Sequence, residues 1–163
     1  MSVVWWNPTN KTINADTIAT QGHFKYRETK LHSVGKWNFG LAGSCAIETY
    51  LRMTLPEIDD ITQLMKKTVA ADEESEIILY DREADALWGI SVSDEGAISV
   101  YSVAITRCKA IGYGSPAVVV LRDMGMSDHK IGQMLLRHFG SIAGPFEQLD
   151  RHGVCSELTE DSA

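Results

Sequence analysis

Three side chains in the first thirty residues could act together chemically: the hydroxyl of Ser2, directly behind Met1, the carboxylate of Asp16 and the amine of Lys30. A serine hydroxyl is a poor nucleophile until a base takes its proton. A free α-amino group titrates near ~7.7–8.0, so a chain-terminal serine carries its own base and needs no separate histidine. A nearby lysine lowers the pKa of amine and hydroxyl by charge repulsion and alkoxide stabilisation, and an aspartate holds the lysine in place. The chemistry these residues fit is amide or peptide hydrolysis through an acyl-Ser2 intermediate. It requires Met1 to be removed, and a small second residue is what a methionine aminopeptidase accepts.

The other reactive residue types are scattered. His23, His32, His129, His138 and His152 show no H-E-x-x-H or other ligand spacing. Cys45, Cys108 and Cys155 lie far apart with no C-x-x-C pair, which predicts neither a disulfide framework nor a zinc site and points to a reducing cytosol. No G-x-S-x-G surrounds Ser115, so a nucleophile elbow is not indicated there. No metal or cofactor is expected.

The elements that must position the three residues begin with a β-branched and aromatic run at 2–6, a turn at Asn7-Pro8, and a second strand at 12–15, read as a hairpin. Alternating segments at 23–26 and 30–34, a turn at 35–38 and a run at 39–42 predict further strands. Ser44 is placed to N-cap a helix over 45–53, with Ala46, Tyr50 and Met53 on one face and Pro56 ending it. A second helix is expected over 57–67 from Ile58, Ile61, Leu64 and Met65, followed by an acidic loop at 70–75. Strands return at 76–80, 87–91 and 97–101, with a Gly-rich strand exit at 110–114. Two more helices follow, one over 115–122 with Pro116 behind a Ser cap, and one capped by Ser127 through His138 with Ile131, Leu135 and Phe139 on its stripe. A last strand is expected at 146–149.

Strands, two helices, strands, two helices is the order of an α+β protein. The expected architecture is a four-layer αββα sandwich of two antiparallel sheets flanked by helix pairs. Residues 1–155 are read as one domain and 156–163 as a polar, fraying C-terminal tail.

On these residues the chain resembles the proteasome β-subunit and bacterial proteasome-like branch of the N-terminal-nucleophile hydrolases. Ala15-Asp16-Thr17-Ile18-Ala19-Thr20 looks like the family's alanine-acid-x-x-alanine-threonine strand exit, and Lys30-Leu31 like its lysine followed by an aliphatic. Residues 39–44 (FGLAGS) resemble the small-residue strand leading into the first helix, and 110–115 (AIGYGS) the second Gly-rich turn. The resemblance implies Ser2 as nucleophile, where the family more often has Thr, Asp16 as its acidic partner and Lys30 as the pKa-lowering lysine. It also implies that the turn at Gly43 and Ser44 supplies the oxyanion N–H and that Ser115 matches a serine near the free amine. Glu147 and Asp150 are loose matches for a further acid. Self-association into a ring or other homo-oligomer, a peptide or protein substrate and an unfoldase partner would follow.

Bulk properties are compatible. The 163 residues are 44% apolar and 23% charged, with net charge −7. That composition fits one globular domain. The acidity and the lack of a basic stripe argue against a nucleic-acid partner. No signal peptide is read at the start, and no apolar run approaches the ~20 residues of a membrane span. A cytoplasmic setting, or a host cytoplasm for a phage-encoded chain, is expected. Two other readings stay open: a proteasome-like structural or binding subunit of a phage or bacterial assembly, without catalysis, and an unrelated α+β binding domain.

Overall fold

Four apolar side chains in succession, Val3 to Trp6, require a strand covered on both faces. In the computed structural model, which describes residues 2–21, 23–67, 69–71 and 73–160, they form β1 (Val3–Asn7), buried along its whole length. Met1, and with it the expected removal of Met1, lies outside the described residues, as do residues 161–163 of the expected tail. Alternation sends Val4 and Trp6 into one apolar cluster and Val3 and Trp5 into another.

β1 pairs antiparallel with β2 (Thr12–Ala15), giving the expected hairpin, and with β10 (Lys109–Gly112). The sheet order is β10-β1-β2-β11-β12, where β11 is Glu147–Leu149 and β12 is Cys155–Glu157. A second five-stranded sheet runs in sequence order: β5 (Leu31–Val34), β6 (Trp37–Ala42), β7 (Ser75–Asp81), β8 (Ala86–Val92) and β9 (Ile98–Val103). Between them, β3 (Ile18–Gln21) and β4 (Phe24–Arg27) form a two-stranded sheet of their own. β3 falls in the stretch read only as a strand exit.

The two large sheets meet over a cluster to which both contribute, including Trp6 against Tyr80 with ring centroids 5.0 Å apart. Like β1, β7 serves two clusters, with Ile78 and Tyr80 facing β1 and Ile77 and Leu79 facing the other way. The α-helices are α1 (Cys45–Thr54), α2 (Ser115–Asp123) and α3 (Asp128–His138). The Ser44 and Ser127 side chains cap α1 and α3 by accepting from Ala46 N and Lys130 N.

The expected four-layer αββα sandwich flanked by helix pairs is corrected by these elements. Strands predominate, in three sheets, and among the described residues there are three short α-helices. The helix expected over 57–67 is two 3-10 segments, Leu55–Glu57 and Ile61–Lys66, separated by Ile58 in extended conformation. The spacing explains it: Ile58, Ile61 and Leu64 recur every three residues, the period of a 3-10 rather than an α-helix. All three are buried, while Met65 is 54% exposed.

Smaller expectations also change. α1 buries Ile47, Leu51 and Thr54 rather than the face of Ala46, Tyr50 and Met53, and Met53 is 71% exposed. α2 has Gly114 at its N-cap with no side-chain cap bond, so the Ser cap expected before Pro116 is absent. The tail does not simply fray, since β12 pairs with β11 and Leu158 is buried. Among the described residues no helix is long and apolar enough to cross a membrane.

Candidate active site

Asp16 ends the turn out of β2 and is fully buried, and Lys30 precedes β5 with only 7% of its side chain exposed. Lys30 Nζ donates to Asp16 Oδ1 at 2.7 Å and to the carbonyl oxygen of Ile18 at 2.7 Å. The same Asp16 Oδ1 accepts the backbone N–H of Val3 at 3.0 Å, and Asp16 N donates to the Val3 carbonyl at 3.3 Å. One carboxylate oxygen therefore ties the lysine to the residue that follows Ser2.

Burial pushes the Lys30 ammonium below its ordinary value, with Asp16 acting against the shift. Burial also raises the Asp16 carboxyl, opposed by Lys30 and the Val3 N–H. Two charges removed from water are costly even when paired. Among the described residues Asp16 Oδ2 has no hydrogen-bond partner.

Ser2, Lys30, Gly43 and Ser44 line a single cleft of about 1060 Å3, with Asp16 behind its wall. Ser2 is held through its carbonyl oxygen, which accepts the Tyr113 N–H at 2.7 Å. The approach is so close that a Cβ on Gly112, at φ +83°, would fall 2.1 Å from that oxygen. On the other side, Gly43 has φ +143° and Ser44 N donates to Ser75 Oγ at 2.9 Å.

Not every expected residue joins this group. Ser115 opens α2 two residues past Tyr113 and is not part of the cleft lining. Glu147 accepts from Thr29 Oγ1 at 2.6 Å, and Asp150 accepts from the N–H groups of His152 and Val154. Neither is among the residues that line the cleft with Ser2.

Residues that the sequence did not single out also matter. Thr17 is fully buried and its hydroxyl donates to the Pro145 carbonyl at 2.5 Å, anchoring the turn that carries Asp16. Ser75 braces the Gly43–Ser44 turn through the β6–β7 pairing, a register invisible in the local sequence. Gly112 was visible only as one glycine in a Gly-rich strand exit.

A rival nucleophile, Cys45, also lines the cleft. Burial and then the neighbouring Glu28 carboxylate raise its thiol pKa. A thiol held protonated is a weak nucleophile. Among the described residues no group of three or more His, Cys, Asp or Glu is arranged to hold a metal ion.

No protein-family model matches the chain, and no curated protein matches it. Among solved structures, Thiobacillus denitrificans BPH in complex with epoxomicin is similar, with a TM-score of 0.59 and 14% identity over 98% of this chain and 100% of that one. At that identity the likeness is one of fold.

Proposed function

We propose that the chain is a proteasome-like N-terminal-nucleophile hydrolase that cleaves peptide or amide bonds through an acyl-Ser2 intermediate once Met1 is removed. The observation that carries this reading is the double use of Asp16 Oδ1, which holds Lys30 Nζ and the N–H next to Ser2 at the edge of the cleft.

The freed Ser2 amine takes the proton from Ser2 Oγ as Oγ bonds to the substrate carbonyl carbon. Positive charge on Lys30 disfavours protonation of that amine and favours the alkoxide. The tetrahedral oxyanion is stabilised by the backbone N–H of Gly43, an interaction typically worth ~10²–10³ in rate, while the Ser44 N–H, already donated to Ser75 Oγ, holds the turn in shape. Collapse breaks the C–N bond, and the leaving amine takes the proton. Water then attacks the ester, with the Ser2 amine again moving the proton, and frees the enzyme.

The fold likeness to BPH supports this choice of family, and the epoxomicin in that complex suggests a probe for this cleft. The proposed substrate is a peptide or unfolded protein, delivered by an unfoldase to a ring of copies with their sites facing an inner chamber. The three free cysteines support a cytoplasmic setting.

The test is intact mass after exposure to an electrophilic peptide probe. The expected result is a chain lacking Met1, with one adduct on Ser2, slowed by epoxomicin and absent in Ser2→Ala and Lys30→Ala. Quantitative retention of Met1, or an adduct elsewhere, overturns the reading. Light scattering tests the ring, and a clean monomer removes it.

A further inference from the structure

Acylation of Ser2 requires it to sit at a fixed separation from the Gly43–Ser44 turn, yet the two belong to different sheets. We propose that Ser75 and Glu76, the first two residues of β7, are the positioning residues that set this separation. The inference rests on the acyl-Ser2 reading and adds two residues to it.

Ser75 is 1% exposed, and its Oγ accepts the Ser44 N–H at 2.9 Å. It fills the space that a side chain on Gly43 would need, since a Cβ there would lie 2.2 Å from Ser75 Oγ and 2.7 Å from its Cα. The turn is thus wedged against β7 as well as hydrogen-bonded to it.

Glu76 stands opposite Ala42 in the β6–β7 ladder and reaches the other sheet. Its Oε2 accepts the Gly112 N–H at 3.3 Å. Gly112 is opposite Val3 in the β10–β1 register, presses on the Ser2 carbonyl oxygen, and is followed by Tyr113, whose N–H that oxygen accepts. None of the ion pairs among the described residues draws Glu76 elsewhere. Successive strand side chains project to opposite faces, so neighbours on β7 can serve two different turns. One strand end braces both glycine turns that bracket Ser2.

The experiment measures the concentration dependence of probe adduct formation, separating the limiting rate from half-saturation. Ser75→Ala is expected to lower the limiting rate roughly tenfold to 10²-fold, as a misplacement near 1 Å does, with half-saturation little changed. Glu76→Ala should act in the same direction more weakly, and Glu76→Gln, which keeps an acceptor oxygen, should recover most of the loss. A purely structural role would lower the urea midpoint without moving the limiting rate of the folded protein.

If Ser75→Ala does not fold, the exposed Glu76 pair of variants carries the test. Wild-type reaction with unchanged rates in Ser75→Ala and Glu76→Ala overturns the positioning role and leaves the nucleophile reading standing. A wild-type chain that forms no adduct overturns the nucleophile reading, and the positioning role falls with it.

Discussion

Two fully buried carboxylates flank the first strand, and they are treated in opposite ways. Asp128, at the start of α3, has both oxygens occupied: Oδ1 accepts from Trp5 Nε1 at 2.9 Å and Oδ2 from Asn7 Nδ2 at 2.6 Å, with Arg122 Nη1 at 3.7 Å. Asp16 crowds Lys30 and the Val3 N–H onto Oδ1 and leaves Oδ2 without a partner among the described residues. Buried polar groups are nearly always satisfied, so an orphaned oxygen calls for an explanation. The Asp128 oxygens are both met by buried side chains, with Arg122 between them and a second, smaller cleft. The Asp16 pair ends at Lys30, which lines an open cleft. The two carboxylates are thus equally buried and differ in how fully their oxygens are paired.

The largest expected effect breaks the asymmetric pair. Lys30→Met should cost about 3–5 kcal/mol, because it leaves the Asp16 charge buried without its counter-ion. Against a total of roughly 5–15 kcal/mol for a domain, that is a large share of the stability. The sign with pH is fixed by the carboxyl. Burial raises Asp16 above its ordinary 3.8, and losing Lys30 removes the main opposing influence. The folded variant then binds a proton more readily than the unfolded chain, so its stability falls as pH rises through the raised value. The deficit against wild type should be full at neutral pH and shrink as pH falls toward 3.8. Urea unfolding across that range checks it, and a deficit that grows in acid would show that the buried charge is not its cause.

Asp128→Asn tests the fully paired carboxylate. The amide keeps one acceptor oxygen but sets its NH2 against Trp5 or Asn7, leaving a buried donor unmet at about 1–3 kcal/mol. The urea midpoint should drop, while the rate of Ser2 adduct formation by the folded protein stays at the wild-type value. A matching fall in that rate would mean that the two carboxylates are coupled through β1, and the comparison would fail.

Much of this was legible in advance where the signal is local. The Ser44 cap and the β1–β2 hairpin follow from residue type and short-range pattern. Asp16 and Lys30 were likewise named from sequence, and the structure brings them to 2.7 Å. What was hidden depends on register or on period. Ser75 matters only because β7 runs beside β6, and the three-residue recurrence of Ile58, Ile61 and Leu64 looks helical until Ile58 is found extended. The first of the expected helix pairs failed there, at a segment where two nearby periods compete.

The smallest expected effect separates support of the site from general stability. Thr17 follows Asp16 directly, its hydroxyl donates to the Pro145 carbonyl, and the next residue, Ile18, offers Lys30 its carbonyl oxygen. Thr17→Val keeps the shape and removes one hydrogen bond, so the stability loss should be near 1 kcal/mol. If that bond serves only the fold, the adduct rate of the folded protein will not move. If it also fixes the turn that carries Asp16 and Ile18, the rate will fall by more than the stability change implies, and Thr17→Ser will restore it. The same change made at Thr9, whose hydroxyl accepts from Arg122 in the Asp128 cluster, should leave the rate untouched. A pair of threonines that behave alike would erase the distinction between the two carboxylates; a pair that differ would locate the working end of β1 at Ser2.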